Sequence, residues 1–213
     1  MMKSRSADDR VFYHIFKRGF DLLISTSGLI ILSPFMILIC LLIVIDDGTP
    51  VIYKAGRVGK NGRIFRMFKF RTMIRNAEKA GPSSASSSDS RITKTGRFLR
   101  KYKLDELPQL LNVFTGQMSI IGPRPEEKKF TDLFNEEEQM ILSVKPGITD
   151  WASLLNSNEG KILEGSEDPD QTYMDLIRPG KIELQLKYVR NSNFLVDLKI
   201  LFLTLRKLIF RGN

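Results

Sequence analysis

An uncharged apolar segment from Leu22 to Ile45 constrains this chain more than any other sequence feature. It exceeds the roughly 18 apolar residues that mark a membrane helix. It begins too far from the N-terminus and is too long for a signal peptide, and Asp46 and Asp47 follow it without a cleavage-site pattern. The segment is therefore predicted to enter a membrane.

A Ser-Pro pair, Ser33 and Pro34, lies at the midpoint of this segment. Proline lacks an N–H donor and clashes with the carbonyl four residues back, here that of Ile30, so we expect a kink or break. The Ser33 hydroxyl can bond a freed carbonyl, which makes a break tolerable in lipid. Each half is then roughly 12 residues, or roughly 18 Å of helix, which is too short for a hydrocarbon core of roughly 30 Å.

Basic residues flank the segment on both sides. They are Lys17 and Arg18 before it, and Lys54, Arg57, Lys60 and Arg63 after it. A spanning helix carries its positive residues mainly on the cytoplasmic side. The pattern therefore favours a re-entrant helix–break–helix that returns to the cytoplasmic face, with an ordinary kinked spanning helix as the alternative.

A β-hairpin is predicted after the apolar segment. Val51–Tyr53 and Ile64–Phe68 have the composition of short strands around the turn Gly59–Gly62. Every charged residue from Lys54 to Arg75 is basic, and aromatic residues lie among them, in a chain of net charge +9. Nucleic-acid binding and contact with anionic lipid both fit this pattern. The neighbouring membrane segment favours lipid, and a solvated charged hairpin is the third interpretation.

Cysteine and histidine are too scarce to build a site of their own. The single cysteine, Cys40, excludes an intrachain disulfide and a cysteine-built zinc site. The single histidine, His14, excludes a His-rich metal site, and we expect it to face solvent or a membrane interface. Any metal must then be held by oxygen ligands, which favours Mg²⁺ or Mn²⁺ over zinc.

Two adjacent carboxylates, Asp105 and Glu106, are the strongest candidates for chemistry. Basic residues precede them, and Arg124 follows, fixed between two prolines. Pro108 suits the first turn of a helix, so we expect a helix to begin near Asp105 and to end at Gly116, with its dipole lowering the pKa of both acids. Acids among cations indicate a site for a metal-bound phosphate ester, but an ordinary first-turn charge pair has the same signature.

The rest of the chain is predicted to be mostly helical. The expected helices are Phe130–Ser143, one that opens at Asp168 and is broken at Arg178–Gly180, Ile182–Arg190, and Phe194–Phe210. The last is apolar with few charges, which fits an amphipathic helix at the membrane interface or burial against the core. Residues 77–90 form a low-complexity loop. The predicted fold class is α+β and mainly helical, with a small β-hairpin.

Several stretches together resemble one family. They are KRGFD at Lys17–Asp21, the Ser-Pro pair, KFRTM at Lys69–Met73, RFLRKYKLDELPQLLNVFTGQMSIIGPRP at Arg97–Pro125, and KPGIT at Lys145–Thr149. The chain is similar over nearly its whole length to the bacterial sugar transferases, the small monotopic polyprenyl-phosphate phosphoglycosyl transferases. The long LDELPQ to GPRP block carries most of the specificity.

The resemblance implies transfer of a phosphosugar from a UDP-sugar to polyprenyl (undecaprenyl) phosphate, with release of UMP. It implies Mg²⁺ as cofactor and a covalent phosphosugar on Asp105, with Glu106 and Asp105 as the metal-associated acids. It implies that four basic residues contact the phosphates, the nucleotide or the surrounding site, namely Lys69, Arg71, Arg100 and Arg124. Ser33 and Pro34 match the break of the family's membrane helix.

The resemblance also sets the expected location and partners. Residues 1–48 would form the re-entrant membrane hairpin, and residues 49–213 one cytoplasmic, membrane-associated catalytic domain with interfacial helices. The expected partners are the UDP-sugar, polyprenyl phosphate and membrane lipids, with no nucleic acid and with a homodimer left open. The site would face the cytoplasm at a bacterial inner membrane, at the first membrane step of exopolysaccharide, O-antigen, capsule or glycoprotein assembly.

Three residues depart from the pattern of many relatives. Asp150 and Ser153 follow the KPGIT stretch, and Gln185 stands where many relatives have an acid. The dyad is unaffected, but residues that set sugar or nucleotide specificity cannot be carried over from this region. Two alternatives remain open: a membrane-tethered anion-binding or interaction protein without catalysis, and the same reaction by direct attack of the lipid phosphate.

Overall fold

The computed structural model describes residues 7–77, 80–81, 84, 86, 88–155 and 159–210. The helices are α1 Ala7–Asp47, α2 Lys94–Lys101, α3 Gln109–Phe114, α4 Lys128–Thr131, α5 Trp151–Leu155, α6 Glu159–Ile162, α7 Pro169–Thr172, α8 Arg178–Asn191 and α9 Phe194–Ile209. The strands are β1 Ile52–Val58, β2 Ile64–Phe70, β3 Ser119–Ile121 and β4 Gly147–Thr149. The prediction of a mainly helical fold with a small sheet is confirmed.

Helix α1 stays helical through the Ser-Pro pair, so the predicted helix–break–helix is not confirmed. Pro34 lies inside the helix, and the Ser33 hydroxyl donates a hydrogen bond of 2.9 Å to the Ile30 carbonyl. That carbonyl is the one that proline leaves without an N–H donor, so the serine satisfies it and the helix can continue. From Val11 to Asp47 the helix is long and apolar enough to cross a membrane.

The N-terminal part of α1 presents polar side chains to the rest of the protein at four-residue spacing. The Tyr13 hydroxyl and the Lys17 ammonium both reach the Asp197 carboxylate of α9, at 2.9 and 2.6 Å. One turn further on, the Asp21 carboxylate accepts hydrogen bonds from the hydroxyl of Ser119 and the amide of Ile120, each at 2.9 Å. This end of α1 is therefore fixed to both α9 and β3.

The C-terminal end of α1 is fixed to other elements. The Asp46 carboxylate accepts a 2.8 Å hydrogen bond from the amide of Thr95 in the first turn of α2. The Asp47 carboxylate lies 2.8 Å from the guanidinium of Arg71. Between the two ends, Ile39 and Ile43 are buried against Phe70 and Leu99. The protein thus lies along α1 and holds it at both ends.

The predicted hairpin is confirmed, with longer strands than expected. Strands β1 and β2 pair antiparallel from Ile52 opposite Phe70 to Val58 opposite Ile64. The loop that joins the two strands contains a short 3-10 helix at Lys60–Gly62. This hairpin carries KFRTM at the end of its second strand and so leads the chain towards the candidate site.

A second pair of strands was not predicted. Strands β3 and β4 lie parallel, with Ser119 opposite Gly147 and Ile121 opposite Thr149. A Cβ atom added to Gly147 would lie 2.1 Å from the backbone nitrogen of Gly122, so this close approach requires glycine. The pair lies in the main core beside Met118 and Ile120, and it fixes the start of the GPRP loop.

Two helix predictions need correction. The predicted helix Phe130–Ser143 is divided into α4 and a 3-10 turn at Glu138–Ser143. Arg178–Gly180 does not break a helix, because a π-helical segment, Tyr173–Ile177, joins α7 to α8. Pro179 follows directly after this π-helical segment, in the first turn of α8.

The remaining expectations have mixed outcomes. Helix α9 has nearly the predicted bounds, and it buries Asp197 and Ile200 while leaving an apolar stripe exposed, formed by Leu195, Leu198, Phe202 and Leu205. The stripe suits a membrane interface, and the buried face suits the alternative of core packing. Positions 78, 79, 82, 83, 85 and 87 of the predicted loop lie outside the described residues.

Candidate active site

The two carboxylates lie in a 3-10 turn, Leu104–Glu106, between α2 and α3. The predicted helix start near Asp105 corresponds to this 3-10 turn, whereas α3 itself begins at Gln109 with Pro108 as its N-cap. Lys103, immediately before the turn, has a left-handed backbone with φ 58°. Such a conformation is uncommon for a residue other than glycine. It reverses the chain after α2 and presents both acids to the protein interior.

Glu106 is held between two cations. Its Oε1 lies 3.0 Å from the Lys69 ammonium, and its Oε2 accepts a 3.0 Å hydrogen bond from Arg124 Nη1. Arg124 Nη2 also contacts Oε1, so the guanidinium binds the carboxylate in a bidentate manner. Burial opposes ionisation, but the charges of Arg124 and Lys69 outweigh it and hold the pKa of Glu106 well below its usual range. Glu106 is therefore a fixed negative charge.

Asp105 has a different environment from its neighbour. Its side chain is buried, and among the described residues no hydrogen bond to its carboxylate is present. Burial raises the pKa of Asp105, the charge of Glu106 adds to this rise, and the charge of Lys69 is the strongest opposing influence. The expected lowering by a helix dipole is wrong, because the acid precedes α3 in a buried turn. Asp105 is thus the less firmly held, more basic carboxylate of the pair.

Lys69 is positioned by a side chain of α3. The side chain of Asn112 is fully buried. Its oxygen accepts a 2.9 Å hydrogen bond from the backbone amide of Phe68, and its nitrogen donates one of 2.8 Å to the backbone carbonyl of Arg66. These bonds continue the hydrogen-bonding pattern of β2 on its outer edge. They fix the end of β2, and with it Lys69, against the helix that follows the dyad.

Arg124 is positioned by its backbone. The buried Asp150 carboxylate accepts a 3.1 Å hydrogen bond from the backbone amide of Arg124. The Gln185 side chain donates one of 3.2 Å to the backbone carbonyl of Arg124. Asp150 and Gln185 are two of the residues that depart from the pattern of many relatives. Their contact with the peptide units of Arg124 gives these positions a role in aiming the guanidinium.

The two other predicted basic residues, Arg100 and Arg71, make different contacts. Arg100 donates a 2.9 Å hydrogen bond to the Thr72 hydroxyl, and its charge acts on Asp105. Arg71 instead contacts the end of α1, where it donates hydrogen bonds of 3.0 and 2.6 Å to the carbonyls of Asp47 and Gly48. A phosphate-binding role for Arg71 stays a prediction, and its contacts here fix α1.

Lys103 is a site residue that the sequence interpretation did not select. Burial lowers the pKa of Lys103, and the charges of Glu106 and Asp105 oppose that change. The sequence signal was present, because Lys103 ends the basic run before the dyad. What could not be inferred was the left-handed backbone that places it beside the carboxylates.

A metal ion could be held here through substrate. Among the described residues no group of three or more His, Cys, Asp or Glu side chains is suited to a metal ion. The dyad alone supplies two carboxylates, and Mg²⁺ is commonly bound by one or two carboxylates together with substrate phosphates. The donor set therefore fits a Mg²⁺ ion that shares its ligands with a diphosphate.

The pH dependence of the site follows from the contrast between the two acids. A carboxylate with a raised pKa reaches its ionised form only at higher pH, so a step that needs ionised Asp105 should accelerate as pH rises above the usual aspartate range, near 3.9. Lys69→Met removes the strongest opposing charge and should move this acid limb to higher pH. The measurement is the pH profile of covalent labelling of the protein in a single turnover. An acid limb at the same pH in Lys69→Met and wild type would contradict the assignment of Asp105 as the group that must be ionised.

Comparison with known proteins gives one consistent result. The sequence model described as "Bacterial sugar transferase" matches residues 12–211. The chain is 36% identical over 200 residues to the UDP-N-acetylgalactosamine-undecaprenyl-phosphate N-acetylgalactosaminephosphotransferase of Aeromonas hydrophila, covering 92% of this chain and 44% of that protein. It is 37% identical over 204 residues to the undecaprenyl-phosphate glucose phosphotransferase of Komagataeibacter xylinus, covering 92% and 36%.

A shorter relative matches over most of its own length. The sugar transferase EpsL of Bacillus subtilis, itself uncharacterised, is 37% identical over 195 residues, covering 92% of this chain and 88% of that protein. The chain thus spans less than half of the first two relatives and most of this one.

Proposed function

This chain belongs to the bacterial sugar transferase family, and from that membership we propose that it transfers a sugar 1-phosphate from a UDP-sugar to undecaprenyl phosphate and releases UMP. Two relatives carry names that state sugar phosphate transfer to undecaprenyl phosphate. The observation that carries the proposal is the pairing of a buried, weakly held Asp105 with a Glu106 fixed by Lys69 and Arg124.

The proposed reaction has two displacements at one phosphorus atom. An Asp105 carboxylate oxygen bonds to the phosphorus that carries the sugar, and the bond from that phosphorus to the bridging oxygen breaks, so UMP leaves with that oxygen and its electron pair. An oxygen of undecaprenyl phosphate then bonds to the same phosphorus and displaces Asp105. The product is a polyprenyl-diphosphate sugar, and the carboxylate is regenerated.

The cations of the site have separate tasks in this scheme. Lys69 and Arg100 act electrostatically on Asp105 and can neutralise charge on the phosphates. Arg124, held by Glu106 and by its own backbone contacts, gives a fixed guanidinium at the edge of the dyad. Mg²⁺, when bound through Glu106, Asp105 and the diphosphate, would neutralise further charge on the transferred group.

The function is tested by UMP release. Purified protein in neutral detergent is incubated with undecaprenyl phosphate, Mg²⁺ and each of a set of UDP-sugars. We expect UMP release with one or a few sugars, and only when the lipid phosphate is present for multiple turnover. Binding of UDP-sugars without UMP release would instead support an anion-binding protein without catalysis.

We further propose that the active site lies at the cytoplasmic face of a bacterial inner membrane, with α1 entering and leaving on that face. The support is that both ends of α1 contact the rest of the chain, through Lys17 and Asp21 at one end and Asp46 and Asp47 at the other, and that Pro34 lies between them, where a bend would return the helix to the face it entered. A helix that crossed the membrane fully would separate its two ends by roughly 30 Å of hydrocarbon.

The topology predicts which sites a membrane-impermeant maleimide can reach. In a Cys40→Ser background, Ser6→Cys and Lys128→Cys should both be labelled only after the inner membrane is permeabilised. Lys128 is an exposed residue of the domain and gives the cytoplasmic reference. Labelling of Ser6→Cys in cells with an intact inner membrane would show a spanning helix instead.

A further inference from the structure

A second group of cations lies at the end of α3 that is remote from the dyad. We call it the basic cluster and define it as Arg18, Lys60 and Lys145. Arg18 donates hydrogen bonds of 2.7 and 2.9 Å to the carbonyls of Val113 and Phe114 at the end of α3. The six residues of α3, roughly 9 Å of helix, separate this cluster from the turn that holds Asp105.

The members of the basic cluster come from three separate parts of the chain, and two of them, Arg18 and Lys145, meet around Gly116. A Cβ atom added to Gly116 would lie 3.4 Å from Arg18 Nη2 and 3.5 Å from Lys145 Nζ, so the two cationic groups flank one point. The charge of Lys60, at the hairpin turn, acts on both Lys145 and His14. The fold thus brings helix α1, the hairpin and the segment before β4 together at one cationic surface.

The nearby acid does not neutralise this surface. Asp21 is electrostatically coupled to Lys145, but its carboxylate already accepts hydrogen bonds from Ser119 and Ile120. Within the described part of the chain, Arg18, Lys60 and Lys145 form no ion pair with a carboxylate. Burial, and after it the charge of Arg18, lowers the pKa of Lys145. A concentration of like charge without a counter-ion is stabilised by an anionic ligand.

Exposed apolar side chains on the same elements restrict what that ligand can be. Ile64 at the end of the hairpin turn is 63% exposed, and Phe114 at the end of α3 is 46% exposed. A soluble anion would leave these side chains in water, whereas a lipid offers a charged headgroup and hydrocarbon together.

We propose that the basic cluster binds the headgroup phosphate of an anionic membrane phospholipid, such as phosphatidylglycerol, whose acyl chains contact the exposed side chains of Ile64 and Phe114. The proposal rests on the membrane association proposed above and not on catalysis. Its position beyond α3 distinguishes this lipid from the polyprenyl phosphate that would react at Asp105. Binding here would hold the hairpin and the end of α3 at the headgroup level, so that the dyad keeps a fixed depth.

Native mass spectrometry of the full chain in neutral detergent can test this site. Phosphatidylglycerol or phosphatidylcholine of matched acyl chains is titrated into wild type and into the double variant Lys60→Gln/Lys145→Gln. Wild type should retain one phosphatidylglycerol in preference to phosphatidylcholine. Each basic residue near an anionic headgroup contributes about 1 kcal/mol, so the double variant should bind phosphatidylglycerol about 30-fold more weakly.

A matched control removes the same charge elsewhere. Lys128 and Lys187 are exposed and lie outside the basic cluster, and Lys128→Gln/Lys187→Gln should retain phosphatidylglycerol as wild type does. Thermal unfolding of both double variants checks that they fold. UMP release in neutral detergent should be equal in the two, and lipid retention can be read even if wild type releases no UMP.

Three results would overturn the proposal. Equal loss of lipid in both double variants would show a general effect of net charge. Displacement of phosphatidylglycerol by millimolar inorganic phosphate would show a site for free phosphate. A raised KM for undecaprenyl phosphate in Lys60→Gln/Lys145→Gln would place the basic cluster in the acceptor site.

Discussion

Asp105→Asn is expected to lose both covalent labelling and UMP release by at least about 10³-fold, the scale of effect when a covalent nucleophile is removed. Asparagine keeps the size of the side chain but has no anionic oxygen to attack phosphorus. The site should otherwise persist, because Glu106 retains Lys69 and Arg124 as partners. The measurement is transfer of ³²P from a β-labelled UDP-sugar to protein in the absence of lipid.

The labelling experiment also separates the two possible mechanisms. Wild-type protein that releases UMP only with lipid, and never acquires label without it, would support direct attack by the lipid phosphate. Asp132→Asn is a suitable control, because Asp132 is an exposed acid paired with Lys128 outside the site. It should label and turn over as wild type does. Normal turnover of Asp105→Asn would exclude Asp105 as nucleophile.

Gly96→Ala should destabilise the protein by roughly 2–4 kcal/mol, although alanine is the better helix former. Gly96 lies in α2, and a Cβ atom there would be 2.0 Å from the backbone oxygen of Thr72. Thr72 also accepts the hydrogen bond of Arg100 through its hydroxyl. Relief of the clash therefore has to move α2 away from the end of β2, and Arg100 would move with it.

The matched control for this substitution is Gly180→Ala. Gly180 lies in α8, and nothing lies within 4 Å of a Cβ atom at that position. There the helix propensity of alanine should act alone and stabilise the protein by about 0.5–1 kcal/mol. Urea unfolding in detergent, followed by circular dichroism, measures both changes. Equal stability of Gly96→Ala and wild type would mean that α2 and β2 are not in close contact.

The residues of the site could be predicted from the sequence, but the direction of the pKa shift of Asp105 could not. The Asp105–Glu106 pair, Lys69 and Arg124 were selected from the sequence, and the structure brings their side chains together. The pKa direction of Asp105 was predicted with the wrong sign, because sequence gives helix position but not burial. Lys103 was not selected, because its place beside the carboxylates depends on its own left-handed backbone, which the sequence does not show.

The fold was predictable where the local sequence decides the structure. The hairpin follows from the turn Gly59–Gly62 between two short stretches with the composition of strands. The parallel pair β3–β4 was missed because each strand has three residues and its partner lies far along the chain. A kink or break was predicted at Pro34, and the helix continues there with the Ser33 hydroxyl bonded to the Ile30 carbonyl. A break was predicted at Pro179, and there a π-helical segment joins α7 to α8.

The ion pair between Lys17 and Asp197 has a consequence for biosynthesis. The two residues are 180 positions apart, and Asp197 also accepts the hydroxyl hydrogen bonds of Tyr13 and Tyr188. At a translation rate of roughly 5–20 residues per second, α1 leaves the ribosome roughly 10–40 s before its carboxylate partner is made. During that interval α1 lacks these polar contacts, which form only after α9, the last of the described helices to be synthesised, has been made.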